Sequence, residues 1–99
     1  MTVRLAPQAR RDLHATLAYL AERNPRAGLD LHAGLLRTLD LLATGVLDGP
    51  EAALPAHGPC RRFYVHPWWV YYRRQPGGML EVLRLYHYAR KPPSAGERR

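Results

Sequence analysis

Apolar residues recur at helical spacing in two neighbouring segments of the N-terminal half. The stretch QARRDLHATLAYLAERN carries a leucine stripe at intervals of four and three residues, formed by Leu13, Leu17 and Leu20. This stripe predicts an amphipathic helix of about four turns. The following stretch PRAGLDLHAGLLRTLDLLATG repeats the helical pattern and ends at Gly45, a typical helix stop. Asn24-Pro25 separates the two helices, because the residue before a proline avoids the α conformation, and we expect a helical hairpin.

The C-terminal half has the composition of β-strands. The segments CRRFYVH, WWVYYRRQ and MLEVLRLYHY are rich in aromatic and β-branched residues, which favour strands. Pro67 lies between the first two segments, and Pro76-Gly77-Gly78 suits a tight hairpin before the third. Thr2 to Leu5 predicts a short strand ahead of the first helix. Residues 46–59 hold five glycines and prolines without a sustained period, so we expect a loop there.

These elements predict one α+β domain with the order β-α-α-β-β-β, in which a helical hairpin packs on a mainly antiparallel sheet. A chain of 99 residues has room for one modest core and not for two. We place the domain at residues 1–92. We expect residues 93–99 to form a flexible basic tail, because this terminal segment is polar and contains proline and glycine.

The net charge of +7 is unevenly distributed along the chain. Residues 1–60 contain six arginines and six acidic residues, whereas residues 61–99 contain nine lysines and arginines and two acidic residues. The second segment therefore carries the whole excess. This asymmetry predicts an anionic partner that binds the second segment.

Residue content argues against several classes of protein. No run approaches the roughly 18 apolar residues of a membrane span, and the N-terminus becomes charged too early for a secretory signal. We therefore expect a cytoplasmic protein without membrane contact. The lone cysteine, Cys60, cannot form an intramolecular disulfide and is expected to be a small apolar residue at the start of a strand. Four histidines lack metal-ligand spacing, namely His14, His32, His57 and His66. We expect neither a metal nor another cofactor.

The order of elements and three sequence blocks resemble the RelE/ParE toxins of type II toxin-antitoxin systems. LAPQARRDLHATLAYLAERNPRAG is similar to the family's opening helix, which ends in Asn-Pro as Asn24-Pro25 does here. GPCRRFYVHPWWVYYR, residues 58–73, resembles the family's Gly, Arg, strand, Pro and aromatic strand ending in Tyr-Arg. VLRLYHYARKP, residues 82–92, resembles the closing strand. The resemblance implies a cognate antitoxin protein as partner, in a complex that can form a higher-order hetero-oligomer.

Two activities occur among the proteins that this chain resembles. RelE-like members cut mRNA on the ribosome, and ParE-like members inhibit DNA gyrase without catalysis. The run RLYHY, residues 84–88, is similar to the catalytic ending of the YoeB ribonucleases. However, the chain continues for eleven residues beyond this run, and Trp69 stands where those enzymes carry a catalytic arginine. The resemblance is therefore ParE-like more than RelE-like, and it implies a growth-inhibiting toxin that binds DNA gyrase.

Candidate residues follow from the basic segment and from the resemblance. Under the ParE-like interpretation no residue is catalytic, and the partner-binding residues are Arg61, Arg62, Arg73, Arg84, His87 and Arg90. The alternative is a ribosome-dependent mRNA interferase, which needs a base, an acid and cations converging on one phosphate. Its candidate catalytic residues are Arg84, His87 and Tyr88 together with Arg61, Arg62 or Arg73. A third interpretation is a toxin that has lost activity and survives as a binding module.

The aromatic residues of the strands leave two interpretations open. Six of them lie close together in the sequence, namely Trp68, Trp69, Tyr71, Tyr72, Tyr86 and Tyr88. Alternate members can belong to the core while the rest form a partner-binding face. They could instead stack on nucleotide bases, as aromatic side chains do in proteins that bind single strands.

Overall fold

The computed structural model describes residues 2–89. Within that range the chain forms two helices and five strands, namely β1 (Thr2–Leu5), α1 (Pro7–Arg23), α2 (Pro25–Thr44), β2 (Glu51–Leu54), β3 (Gly58–Val65), β4 (Trp68–Gln75) and β5 (Met79–His87). Arg90, the predicted end of the domain at residue 92 and the predicted tail of residues 93–99 lie outside the described residues.

Both predicted helices are confirmed, and a single residue separates them. The backbone N–H of Asn24 donates to the carbonyl oxygen of Leu20 at 2.7 Å and ends α1. The side-chain Oδ1 of Asn24 accepts a hydrogen bond from the backbone N–H of Ala27 at 3.2 Å and caps α2. Pro25 lies in the first turn of α2, where its missing N–H costs nothing. Gly45 ends α2 with a φ of 86°, a left-handed conformation that glycine adopts readily.

The strands form one sheet in the order β1-β5-β4-β3-β2. β1 pairs with β5 in parallel, and the other neighbouring strands pair antiparallel. The chain reverses at Pro67 between β3 and β4, and the hairpin between β4 and β5 contains Gly77 and Gly78 with φ values of 86° and 84°. The predicted α+β class, with two helices on a mainly antiparallel sheet, is confirmed.

The prediction of an unbroken loop over residues 46–59 is wrong. Glu51–Leu54 forms β2, an edge strand that pairs antiparallel with β3. The segment EAAL is only four residues long and lies between two prolines, so it shows no periodicity of its own. β3 supplies the hydrogen-bonding groups that make it a strand. The order of elements is therefore β-α-α-β-β-β-β, with one strand more than predicted.

The main core lies between the helices and one face of the sheet. Leucines of both helices pack there against alternate residues of β4 and β5, and the buried members include Leu13, Leu35, Leu39, Leu42, Trp68, Val70, Tyr72, Leu80, Val82 and Leu85. Full burial of such a side chain contributes about 1.5–3 kcal/mol. The opposite face, which we call the second face, carries a smaller buried cluster of Leu54, Cys60, Tyr71 and Leu83. Cys60 is only 7% exposed, which confirms it as a small apolar residue of a strand.

A β-bulge in β5 decides which side chains reach each face. Tyr71 pairs with Arg84 whereas Tyr72 pairs with Val82, so Leu83 is an extra residue opposite β4. Bulges of this kind re-aim the side chains beside them. Val82 lies in the helix-covered core, and Leu83 lies in the second-face cluster. Arg84 lies opposite Tyr71.

Candidate partner-binding surface

The strand register divides the predicted basic residues between the two faces of the sheet. Arg62 and Arg84 pair with Tyr71 from its two sides and share the second face with it. Arg73 lies two positions along β4 from Tyr71 and points to the same face, since side chains alternate along a strand. Arg61 precedes Arg62 in β3 and therefore points to the helix-covered face. Arg62, Arg73 and Arg84 thus leave the sheet on the second face, and Arg61 leaves it on the other.

Arg62 is held by stacking on an aromatic ring. Its Cζ lies 4.6 Å from the centroid of the Trp69 ring, and its Nη1 donates to the hydroxyl of Tyr71 at 3.4 Å. This cation–π contact leaves N–H groups at the edge of the guanidinium plane. Among the residues that the structure describes, no carboxylate lies within salt-bridge distance of Arg62. Arg62 is therefore well placed to pair with an anionic partner.

Arg73 extends the basic surface towards the end of β4. Its Nη2 lies 3.7 Å from Oε1 of Glu81 on the neighbouring strand, and its Nη1 donates to the carbonyl oxygen of His57 at 3.3 Å. The Arg73 side chain is 39% exposed. Its outer N–H groups can therefore reach a carboxylate from a partner while Glu81 fixes the direction of the side chain.

Arg84 forms a bidentate ion pair with Asp12 of α1. The distances are 2.8 Å from Nε to Oδ2 and 3.1 Å from Nη2 to Oδ1. The Oδ2 atom also accepts a hydrogen bond from the backbone N–H of Leu85 at 3.0 Å. β1 ends at Leu5, opposite Val82, so it provides no acceptor for the backbone N–H of Leu85. Asp12 provides that acceptor instead. The hydrogen bonds from Arg84 to Asp12 raise the pKa of Arg84 and tie α1 to the edge of β5.

Arg61 and Arg74 bind the linker between α2 and β2. Arg61 donates from Nη1 to the carbonyl oxygen of Gly49 at 2.6 Å and lies 3.6 Å from Oδ2 of Asp48. Arg74 donates to the carbonyl oxygen of Leu42 from Nε at 3.2 Å and from Nη2 at 2.7 Å. This carbonyl lies in the last turn of α2, where intrahelical donors are missing. Arg74 also donates to Asp48 at 3.1 Å, so both arginines hold the fold together.

Tyr72 binds the same linker from within the core. We call Asp48, Arg61, Tyr72 and Arg74 the linker cluster. The hydroxyl of Tyr72 donates to Oδ1 of Asp48 at 2.6 Å and accepts from the backbone N–H of Gly49 at 2.7 Å. The hydrogen bond from Tyr72 is the largest influence and lowers the pKa of Asp48; burial opposes it, and the hydrogen bond and charge of Arg74 lower the pKa further. Burial raises the pKa of Tyr72, and its hydrogen bond to Asp48 raises it further. The linker is thereby fixed to the helix-covered side of the sheet.

His87 and Tyr88 lie at the C-terminal end of β5. His87 pairs with Trp68 of the helix-covered core, and its ring lies 6.3 Å from the ring of Tyr19 in α1. Its Nδ1 accepts a hydrogen bond from the backbone N–H of Ala89 at 3.1 Å. Tyr88 is exposed, and its ring lies 4.9 Å from that of His87. The two rings therefore lie next to each other at the end of β5, with His87 nearer to α1.

The candidate ribonuclease residues are distributed over different surfaces of the described chain. His87 and Tyr88 lie together, Arg62 and Arg73 lie on the second face, and the guanidinium of Arg84 reaches Asp12 of α1 at the edge of β5. A cavity of about 420 Å³ between α1 and β5 is lined by His87, and neither Arg84 nor Tyr88 is among its lining residues. The structure does not join the two sets around one cavity.

The family of the chain follows from its comparison with known proteins. Residues 3–92 match a family model described as the ParE toxin of a type II toxin-antitoxin system, parDE. The chain belongs to the ParE toxin family. Its fold is similar to that of a chain in a solved structure of the chromosomal ParDE TA system from P. aeruginosa, with a TM-score of 0.68. That match has 17% sequence identity and covers 88% of this chain and 95% of that chain, so it shows the fold alone. No curated protein matches the sequence.

Membership of the ParE family confirms the resemblance found in the sequence, including its ParE-like direction. Across residues 2–89 of this ParE-family chain, the His, Cys, Asp and Glu side chains form no group of three or more that could hold a metal ion. In the same part of the chain, neither helix combines the length and the apolar character needed to cross a membrane.

Proposed function

We propose that this ParE-family chain is a toxin that inhibits growth by binding DNA gyrase, without catalysing a reaction, and that a cognate antitoxin neutralises it. The observation that carries the proposal is the separation of the candidate catalytic groups. Cleavage of RNA without a metal needs a base, an acid and a cation within hydrogen-bond reach of one phosphate. Here the guanidinium of Arg84 is already paired with Asp12, and none of Arg61, Arg62, Arg73 and Arg84 lines the cavity that His87 lines.

We assign the second face of the sheet to protein partners. Arg62 stacks on Trp69 there, and Arg84 stacks on Tyr86 with its Cζ 4.4 Å from the ring centroid. Arginine, tryptophan and tyrosine are the residues that most often dominate the binding energy of protein interfaces. The outer N–H groups of the half-buried Arg62 and Arg73 would then pair with carboxylates of an acidic partner segment.

Exposed leucines on α2 offer a second contact for the antitoxin. Leu29 and Leu36 are 69% and 52% exposed and lie seven residues apart, which places them on one side of the helix. Raising the salt concentration should weaken the complex, because exposed charges are screened over about 8–10 Å at near-physiological ionic strength. An affinity that does not depend on salt would indicate that the leucines of α2, and not the arginines, provide the binding energy.

A supercoiling assay with purified gyrase tests the proposed target. Increasing amounts of the folded chain should abolish supercoiling, and Arg62→Ala should weaken this inhibition. Arg26→Ala is the matched control, because Arg26 is 85% exposed on α2, which packs against the opposite face of the sheet. Full supercoiling at a high concentration of the folded chain would contradict the proposal.

A translation reaction supplied with a defined mRNA separates gyrase binding from the enzymatic alternative. The proposal predicts intact mRNA. Cleavage that disappears in His87→Ala, while binding to the antitoxin is retained, would replace the gyrase toxin with an mRNA interferase. Binding to the antitoxin with neither cleavage nor gyrase inhibition would identify an inactive binding module.

A further inference from the structure

A continuous series of aromatic rings crosses one end of the sheet. We call it the aromatic strip, and its members in spatial order are Trp69, Tyr64, His66, Tyr88, His87 and Tyr19. The centroids of successive rings lie 5.1, 6.2, 5.2, 4.9 and 6.3 Å apart. The strip combines side chains from β3, β4, the end of β5 and α1, so it exists only in the folded chain.

The turn between β3 and β4 fixes the centre of the strip. The hydroxyl of Tyr64 and Nδ1 of His66 share a hydrogen bond of 2.8 Å. The backbone N–H of Tyr88 donates to the carbonyl oxygen of Pro67 at 2.7 Å, which places Tyr88 beside this turn. Tyr64 and Tyr88 nevertheless remain 40% and 55% exposed. Rings that are both ordered and exposed lose little conformational freedom when a ligand binds.

An arginine lies over the ring at each end of the strip. The Cζ of Arg62 is 4.6 Å from the Trp69 centroid, and that of Arg23 is 3.9 Å from the Tyr19 centroid. The exposed carboxylate of Glu22 approaches Arg23 at 4.0 Å, whereas the strip itself contains no acidic residue. Exposed rings with guanidinium groups beside them suit a nucleic-acid strand whose bases stack on the rings and whose phosphates pair with the cations.

The strip differs in chemistry from the apolar surface of α2. Among the described residues, the exposed large aliphatic side chains are Leu29, Leu36, Leu41 and Val46, which lie in α2 or just after it. The exposed large aromatic side chains are Tyr19, Tyr64 and Tyr88, and all three belong to the strip. Each tyrosine and histidine of the strip has a polar edge that can hydrogen-bond to a base. An aliphatic protein partner is better matched to α2, and nucleotide bases are better matched to the strip.

We propose that the aromatic strip binds single-stranded nucleic acid, with bases stacked on Tyr64 and Tyr88 and phosphates paired with Arg62 and Arg23. The net charge of +7 attracts the phosphates of DNA and RNA alike. A duplex keeps its bases stacked on one another, so it cannot use the rings in this way. The inference does not depend on gyrase as the target.

Fluorescence anisotropy tests this inference directly with the full chain. The probes are fluorescein-labelled oligo(dT) and oligo(rU) of about 12 nucleotides, a length within the site sizes of single-strand binders, and a duplex of equal length is the comparison. The single strands should bind more tightly than the duplex. Comparison of the Kd values for oligo(dT) and oligo(rU) shows whether the chain prefers single-stranded DNA or single-stranded RNA.

Substitutions in the strip separate stacking from simple attraction of charge. Tyr64→Ala and Tyr88→Ala should each raise the Kd by at least about fivefold, and Tyr64→Phe, which keeps the ring, should bind nearly as well as the original chain. Gln8→Ala is the control, because Gln8 is uncharged, exposed on α1 and outside the aromatic strip, and it should have no effect. Arg62→Ala should reduce the slope of log K against log salt by about 0.7, the value for one phosphate contact to a single strand.

Three results would overturn the inference. The first is an absence of binding. The others are equal affinity for the single strands and the duplex, and unchanged affinity in both alanine variants, because charge alone would explain either of these two results. Circular dichroism establishes that each variant is folded. Because supercoiling is measured separately, gyrase inhibition without oligonucleotide binding would refute only the strip, and oligonucleotide binding without gyrase inhibition would refute only the proposed target.

Discussion

Replacing Asp12 with alanine should destabilise the fold strongly, because this carboxylate joins α1 to the edge of β5. It accepts hydrogen bonds from Nε and Nη2 of Arg84 at 2.8 and 3.1 Å and from the backbone N–H of Leu85 at 3.0 Å. The side chains of Asp12 and Arg84 are only 15% and 25% exposed. In Asp12→Ala the guanidinium and the N–H group lose their acceptor while remaining largely removed from water.

The expected loss of stability follows from this degree of burial. Removing one partner of a fully buried ion pair costs about 3–5 kcal/mol, whereas an exposed pair contributes about 0–1 kcal/mol. Arg84 keeps a quarter of its side-chain surface in water, so solvent replaces part of the lost interaction, and we expect a loss of about 2–4 kcal/mol. Each kcal/mol lowers the Tm of a domain of this size by about 4–8 °C, so the Tm should fall by at least about 8 °C.

Asp30→Ala provides a closely matched control for this measurement. Asp30 is the sixth residue of α2, as Asp12 is the sixth residue of α1. It pairs with Arg26 at 3.8 Å, but the two side chains are 71% and 85% exposed. The same substitution should therefore cost less than about 0.5 kcal/mol here. Urea unfolding followed by circular dichroism measures both variants, and equal losses of stability would refute the structural role of Asp12.

The linker cluster and the second face give three further predictions. Tyr72→Phe removes the hydroxyl bonded to Asp48 and Gly49 and should cost about 1–3 kcal/mol in urea unfolding; an equally stable variant would contradict this. The pKa of Asp48 is held below its ordinary value of 3.8, chiefly by Tyr72, so its contribution to stability is present above that value and is lost as the pH falls through the lower folded-state pKa. Urea midpoints measured from about pH 6 to about pH 2 should depend less on pH in Asp48→Asn, and an identical curve would argue against the shift. Arg62→Ala should weaken antitoxin binding in titration calorimetry without loss of stability, whereas Arg61→Ala, which removes a hydrogen bond to Gly49, should lose stability; the reverse pattern would make Arg61 the partner contact.

Local sequence patterns were sufficient to predict the helices and the three long strands. The leucine spacing of α1 and α2 repeats with the period of the helix itself, and Asn24 and Gly45 mark their ends by their own conformations. The alternation of Trp68, Val70 and Tyr72 on one face with Trp69 and Tyr71 on the other likewise follows from the two-residue period of a strand. Each of these signals lies within a few residues of the structure that it specifies.

The contacts that organise the candidate surface have no such local signal. Asp12 and Arg84 are 72 positions apart, and Arg74 is 32 positions from the carbonyl oxygen of Leu42 that it binds. β2 is a strand only because β3 lies beside it. Tyr64 in β3 and His66 in the turn that follows lie two positions apart in the sequence, but the contribution of Tyr19 from α1 to the aromatic strip depends on the tertiary fold.

The folded chain cancels much of the charge asymmetry seen along the sequence, and this changes which arginines matter for binding. Asp12 and Asp48 come from the electrically neutral first segment, and they pair with Arg84, Arg61 and Arg74 of the basic segment. A count along the sequence treats all arginines of the basic segment as equivalent. In the structure, however, these three arginines already form ion pairs with carboxylates of the same chain. Arg62 instead rests on the Trp69 ring, in a position where a partner can supply the missing anion. Recognition by this ParE-family chain should therefore depend on fewer arginines than its net charge suggests, and on the aromatic rings that hold them in place.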